Sequence, residues 1–367
     1  MKRALTLMLA VMLLLLCGCA KTPDSETLPI TEPLTEPTTL PTEPATEPTE
    51  PVVVETINPL TGEPVEALTN NRAYCVMFNN STAAMPQHGV AQADIIYETL
   101  IEGETRCMGV FYDLASATEP LGSIRSARRD FINIAMAYDA IYVHKGWSQK
   151  PHEYSAEAYF EDTGWEHLDG NIGKYCSEYF YQTRFNYALE HRTFIKPESV
   201  IAYAQRMNLT TTRDQSLDVG LKFDEEAFFV GEKAEKIVAW FNMVANFDRK
   251  WNKSTTMNYN STTGLYEAYQ HGEDYVDGNS GDVLSFRNVI ILRAPMQKLP
   301  AGHMKIGVKG TGTGYFACNG QIVPIKWSRA SDSDPYTYTL ENGTPITLGV
   351  GKTYIAFVPE TGLVEYK

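Results

Sequence analysis

The feature that most constrains this chain is the proline ladder between Cys19 and Ile57. Eight prolines stand three to six residues apart there, and five of them close Thr-Glu-Pro triplets beginning at Thr31, Thr35, Thr42, Thr46 and Thr49. Each proline fixes φ and removes a backbone donor, so neither a helix nor an inner strand can run through the segment. Eight acidic residues against the single Lys21 add self-repulsion. Residues 19–57 therefore read as a disordered, semi-stiff tether reaching on the order of 100 Å at ~3.1 Å per residue. Whatever folds must lie in the body from Asn58 to Lys367.

Ahead of the ladder, Lys2 and Arg3 precede an apolar run from Ala4 to Leu16. A membrane span needs ~20 residues, so this run is too short for one. A basic start followed by a short apolar stretch is the pattern of a secretory signal peptide, here residues 1–18. It ends in Leu16-Cys17-Gly18-Cys19, which resembles the bacterial lipobox. That resemblance implies cleavage before Cys19 and lipidation of its thiol. The protein is then expected on the extracytoplasmic face of the cell membrane, held by a lipid anchor rather than a spanning helix.

With these segments set aside, the body holds 28 basic and 37 acidic residues, about −9 of the chain's −14. Such a balance speaks against nucleic acid as a partner, because basic charge supplies most of that affinity. The chain is 43% hydrophobic and 11% aromatic, which excludes a wholly disordered protein. Cys75, Cys107, Cys176 and Cys318 form no Cys-x-x-Cys and have no histidine at zinc-like spacing, so neither metal nor cofactor is expected. Cys75 and Cys107 sit in strand-like runs, which favours buried free thiols over disulfides.

Apolar runs bounded by turn residues place strands at Ala73–Phe78, Ala93–Leu100, Arg106–Tyr112 and Ala140–His144. The second and third form a hairpin around Ile-Glu-Gly-Glu. Helices are expected at Ser126–Asp139, where Phe131, Ile132, Ala135 and Tyr138 share a face, and at Pro197–Met207, where Pro197 stands in the first turn. From about Lys222 short β-rich runs dominate, including a hairpin turn at Asn342-Gly343. The expectation is an α+β fold: an N-terminal mixed domain over 58–207, a linker region at 208–235, and a mostly β C-terminal domain over 236–367.

The densest polar segment runs from Gly122 to Asp130. Between Pro120 and His152 five basic residues face two acidic ones, a basic island in an acidic protein. If Ser126 is the N-cap of the following helix, Arg106, Arg125 and Arg128 surround a helix start, where free N–H groups and guanidinium forks favour an anion. The competing reading pairs these arginines with Asp94, Glu98, Glu102 or Glu104. His144, at a strand end before Lys145-Gly146, and Glu98 are candidate acid/base groups; His152 and His167 are weaker ones. On a strand, carboxylates four residues apart are separated by about 13 Å, outside both glycosidase windows. Gly349-Val350-Gly351-Lys352-Thr353 imitates the end of a phosphate-binding loop, but Ile346 replaces its first glycine and a strand follows. Lys309–Gly314 reads as a flexible hairpin, and Asp277–Asp282 as a turn rather than a calcium loop.

Several segments, taken in order, resemble one family. Asn58-Pro59-Leu60-Thr61-Gly62, Gln92–Glu98, Glu102–Arg106, Gly122–Arg128, Tyr138–His144, Asn288–Ile291 and Gly351–Ile355 are similar to the YerB-like bacterial lipoproteins over nearly the whole body. One departure is Lys145 and Trp147, where the family tends to a small Gly-rich turn. The resemblance implies two domains of unknown function on a cell-surface lipoprotein, and no established reaction. Three functional expectations result: a body that binds an anionic cell-wall component; an envelope hydrolase or transferase using His144 or Glu98; or a protein-interaction module, suggested by 21 tyrosines.

Overall fold

Continuous apolar runs become the strands of a central sheet. The computed structural model describes residues 56–150, 154–214, 216–227, 229–241, 253–300 and 302–367. The signal peptide, Cys19, the tether and His152 lie outside them. The first half contributes β1 (Tyr74–Asn79), β2 (Ile95–Leu100), β3 (Thr105–Phe111), β4 (Ile141–His144) and β5 (His167–Asp169). The second contributes β6 (Glu232–Lys233), β7 (Asn288–Ala294), β8 (Gly310–Cys318), β9 (Gln321–Arg329), β10 (Thr337–Leu340) and β11 (Thr353–Pro359). The order is β6-β9-β8-β7-β11-β2-β3-β1-β4-β5, with β10 beside β9. The fold is α+β: helices α1 (Arg129–Met136), α2 (Ala156–Thr163) and α3 (Pro197–Arg206) fall in the first half, and the second is mostly β.

β2 and β3 form the expected antiparallel hairpin, from Ile95 opposite Val110 to Leu100 opposite Thr105. Its turn puts Gly103 at φ 89°, a conformation that favours glycine. β11 then lies parallel to β2 on one side and to β7 on the other. The two halves thus share one sheet, joined strand to strand between Ile95–Thr99 and Thr353–Phe357. The region 208–235, expected as a linker, carries β6 and a two-residue strand, Phe223–Asp224, paired with Leu348–Gly349.

Alternate side chains of a strand point to opposite faces, and both faces of this sheet are covered. Cys75, Met77, Tyr97, Met108, Tyr142, Ile290 and Phe357 pack with Phe131, Ile132 and Ala135 of α1 and with Phe160 of α2. Tyr74, Val76, Phe78, Ile96, Val143, Ile291 and Tyr354 pack on the other face. There they meet Val200 and Tyr203 of α3 and Ile237, Met257, Tyr266 and Ala268 of a second sheet. That sheet runs Glu273–Asp274, Leu265–Gln270, Ser254–Asn260, Lys236–Trp240, Val364–Tyr366. All four body cysteines are free thiols, and Cys75, Cys107 and Cys318 are buried.

Two local expectations need correction. Lys309–Gly314 is not a flexible hairpin: Gly310 opens β8, a nine-residue strand. Its glycines serve close packing. A Cβ on Gly312 would lie 2.4 Å from the Trp327 indole nitrogen, which donates to the Arg293 carbonyl. Nor is Ser126 the N-cap of α1. That position belongs to Arg128, which is extended and makes no side-chain cap. The preceding residues are held straight, because the Ala127 N–H donates to the Gly146 carbonyl and Ala127 bridges to Trp147.

Candidate functional site

The three arginines come together where β3 passes the segment leading into α1. β3 is an inner strand, so it carries Arg106 into the protein, where the side chain is 2% exposed. One guanidinium nitrogen donates to the Ser126 carbonyl at 2.8 Å. The Glu104 carboxylate stands 3.9 Å away, beyond hydrogen-bond reach. The Nε–H finds no partner among the described residues. Burial lowers this guanidinium to about 9, with Arg128 and Arg125 as positive neighbours adding to the effect.

Arg125 is half-buried. It donates to the Glu190 carbonyl at 3.0 Å, and its Nε also lacks a partner among the described residues. Arg128 behaves differently: it makes a two-pronged bond to Glu102, both contacts 2.7 Å. His303 reaches the same carboxylate at 2.6 Å. Burial alone would raise Glu102, but the Arg128 fork and His303 outweigh it and bring the carboxyl to about 2. Arg128 is therefore neutralised in place, as the structural reading of the cluster expected. Arg106 has only the long Glu104 contact, and Arg125 has Glu104 and Glu190 as charged neighbours without a direct carboxylate bond among the described residues. Ser126 lends its carbonyl to Arg106.

The candidate acid/base groups lie elsewhere in character. Glu98 is fully buried and accepts from Thr105 at 2.6 Å, Tyr354 at 2.6 Å, Thr255 at 2.8 Å and Asn80 at 2.9 Å. Lys253 completes the shell at 3.1 Å. Burial would raise this carboxyl; Lys253 and the three hydroxyls reverse the effect and lower it. A carboxylate with every direction filled by protein donors has no face for a substrate, which corrects its reading as a catalytic acid. Asp94 likewise serves the fold, accepting from the Asn58 side chain and the Tyr112 N–H.

His144 needs the same correction. It is fully buried among Tyr142, Trp147, Phe160 and His167. Its Nδ1 must donate to the Gly146 carbonyl at 2.8 Å, which leaves Nε2 to accept from His167 Nδ1 at 2.9 Å. Both nitrogens are thus committed inside the protein. Burial depresses each ring to about 3, so both are neutral at physiological pH. The tyrosine content is also mainly structural: of 21 tyrosines, 12 are buried in the core, so their number alone indicates no interaction surface.

Comparison with known proteins places this arrangement. The family model "Protein of unknown function (DUF3048) N-terminal domain" matches residues 60–210, and its "C-terminal domain" counterpart matches residues 245–355. The chain belongs to the DUF3048 family. It is 25% identical over 314 residues to "Putative lipoprotein YerB" of Bacillus subtilis (strain 168), covering 82% of this chain and 86% of that one. The crystal structure of YerB protein from Bacillus subtilis shares the fold, with a TM-score of 0.70 and 22% sequence identity over 85% of this chain and all of that one. The β2–β11 ladder therefore joins the two DUF3048 segments within one sheet.

Sequence reasoning missed a second polar concavity. Arg129, Asp130, Asn133, Tyr154, Tyr159, Lys305, Lys309 and Asp332 line a cavity of about 260 Å³. Arg129 and Asp130 belong to the basic segment singled out above. Nothing local signals that Lys305 and Asp332 close around them, because those residues arrive from the other DUF3048 segment.

Proposed function

We propose that this DUF3048 protein is a lipid-anchored envelope protein. Its body, lifted off the extracytoplasmic membrane face by the acidic tether, binds an anionic cell-wall component through Arg106 and Arg125. Teichoic-acid phosphates and peptidoglycan carboxylates have the required chemistry. The observation that carries the reading is the unequal pairing of the cluster. Arg128 is saturated by Glu102, whereas Arg106 and Arg125 carry buried Nε–H groups without a partner among the described residues. Buried polar atoms in folded proteins almost always find a partner, and a guanidinium prefers an oxyanion. Anchoring is supported by the relative's printed description as a lipoprotein and by the lipobox at Cys19. No helix among the described residues is long and apolar enough to cross a membrane.

Two experiments test these halves separately. Cys19→Ala, followed by labelling of cells with an alkyne fatty acid, is expected to give an unlabelled protein; retained label would contradict the anchor. Binding to glycerol-phosphate oligomers is expected to weaken at least tenfold in Arg125→Ala. Unchanged binding in a variant with an intact far-UV spectrum and unfolding midpoint would contradict the site.

A further inference from the structure

Another cavity lies where the two DUF3048 segments meet, by the first residues of β2 and β11. It measures about 340 Å³, and Val90, Ile96, Leu284 and Phe286, all buried, make its apolar floor. Glu63, Arg287 and Lys352 supply its charged groups. Glu63, Val90 and Ile96 belong to the N-terminal segment, and the other four to the C-terminal one.

Part of the wall comes from Gly349-Val350-Gly351-Lys352-Thr353, the run that imitates a phosphate-binding loop. Its glycines have another role here. A Cβ on Gly349 would lie 2.7 Å from Arg287 Nε, and one on Gly351 would lie 2.9 Å from Arg287 Cβ. The glycines therefore let the arginine side chain lie against the backbone. That backbone is itself held. The Gly349 N–H donates to Asn288 Oδ1, and Asn288 Nδ2 donates back to the Gly349 carbonyl, both at 2.8 Å. The Arg287 N–H donates to the Lys352 carbonyl at 3.0 Å. Arg287 is thus seated in the folded chain, which lowers the ordering cost of meeting a ligand.

The three charged groups are not equivalent. Lys352 is spent on the fold: its ammonium donates to the Ala91 carbonyl, and Asp94, Glu63 and Asp277 are its negative neighbours. Arg287 is half-buried and donates to the Gly264 carbonyl at 3.2 Å and the Glu225 carbonyl at 3.1 Å. Both acceptors are neutral and leave further N–H donors of the guanidinium available. No carboxylate pairs with Arg287 among the described residues. Glu63 is exposed, with Lys352 as a charged neighbour, but its carboxylate makes no hydrogen bond or ion pair among the described residues. The cavity therefore offers a seated guanidinium, an available carboxylate and an apolar floor. A ligand that answers all three carries a carboxylate, an ammonium and apolar side chains. Ligand pockets usually measure ~300–1,000 Å³, and the small end of that range suits a dipeptide.

We propose that this cavity binds a short apolar peptide with both ends free. Its C-terminal carboxylate meets Arg287, its ammonium meets Glu63, and its side chains cover Ile96 and Phe286. The site is separate from the arginine cluster, because Arg106 pairs with Thr99, about 13 Å along β2 from Ile95.

The test is calorimetric titration of the full chain with alanyl-leucine, which is expected to bind. Alanyl-leucine amide lacks the carboxylate and should bind about tenfold more weakly. N-acetyl-alanyl-leucine lacks the ammonium and should bind about threefold more weakly. Glycyl-glycine should also bind more weakly, because it leaves the apolar floor uncovered. Arg287→Gln should erase the preference for a free carboxylate, and Glu63→Gln, at an exposed position, the preference for a free amine. The blocked peptides put the same question to the unaltered protein, so the result stands even where Arg287→Gln fails to fold. Arg125→Ala should leave the affinity unchanged. Absence of alanyl-leucine binding, equal affinity for the free and blocked peptides, a preference that survives in its variant, or binding lost in Arg125→Ala would each overturn the proposal.

Discussion

At the scale of single residues, burial decides which polar groups serve the fold and which are available to a ligand. Glu98 shows the first case. Removing it would take away the counter-charge of Lys253 and the acceptor of the Thr105, Tyr354 and Thr255 hydroxyls, so Glu98→Ala is expected to cost about 3–5 kcal/mol in urea unfolding. A loss below about 1 kcal/mol would mean that the node is dispensable. The buried histidines give a pH signature. Their folded pKa values of about 3 lie below the ordinary value of 6.5, so the unfolded chain takes up protons first. Their contribution is complete above about pH 6.5 and is lost as pH falls toward 3. His167→Gln should therefore lower the midpoint of acid unfolding; an unchanged or higher midpoint would contradict the assignment. None of this burial is visible locally. Glu98 and His144 stand out in the sequence as chemically able residues, and only the strands that close over them show that they are spent on structure. Asp130 is another such case, since its donors, the Tyr154 hydroxyl and the Ile306 N–H, lie 24 and 176 residues along the chain.

At the scale of elements, the pieces that were legible are those with a strong local signal. β1 to β4 are continuous apolar runs with sharp ends, the β2–β3 hairpin has its Gly103 turn, and Pro197 marks the first turn of α3. The start of α1 was misplaced because a serine two residues before the actual cap offered a good cap, while backbone pairing to Gly146 held that stretch extended. β8 was misread because glycine normally weakens a strand. Here the glycines let Trp327 lie against the backbone. Gly312→Ala is accordingly expected to cost about 1–3 kcal/mol through overpacking, read as a lower thermal midpoint. A neutral effect would mean that the indole can move aside.

At the scale of the whole molecule, the β2–β11 ladder is the element that composition and periodicity could not reveal. It joins residues more than 250 positions apart, and parallel pairing leaves no turn signature in between. It makes the two DUF3048 segments interdependent. Residues 58–207 alone would expose β2 as an unpaired apolar edge, and are expected to be insoluble or to associate. The body from Asn58 to Lys367 should unfold in one calorimetric transition, and two separate transitions would contradict a shared sheet. The same arrangement shapes function. The arginines beside Ser126 are the feature on which the proposed function rests.

The most direct measurement is the response of the arginine Nε–H groups to inorganic phosphate, followed by NMR on protein labelled selectively at arginine. The account predicts that the Arg106 and Arg125 signals shift with phosphate and slow in exchange, while Arg128, already held by Glu102, moves little. Signals of Arg106 and Arg125 that stay fixed at saturating phosphate, with the protein folded, would contradict it.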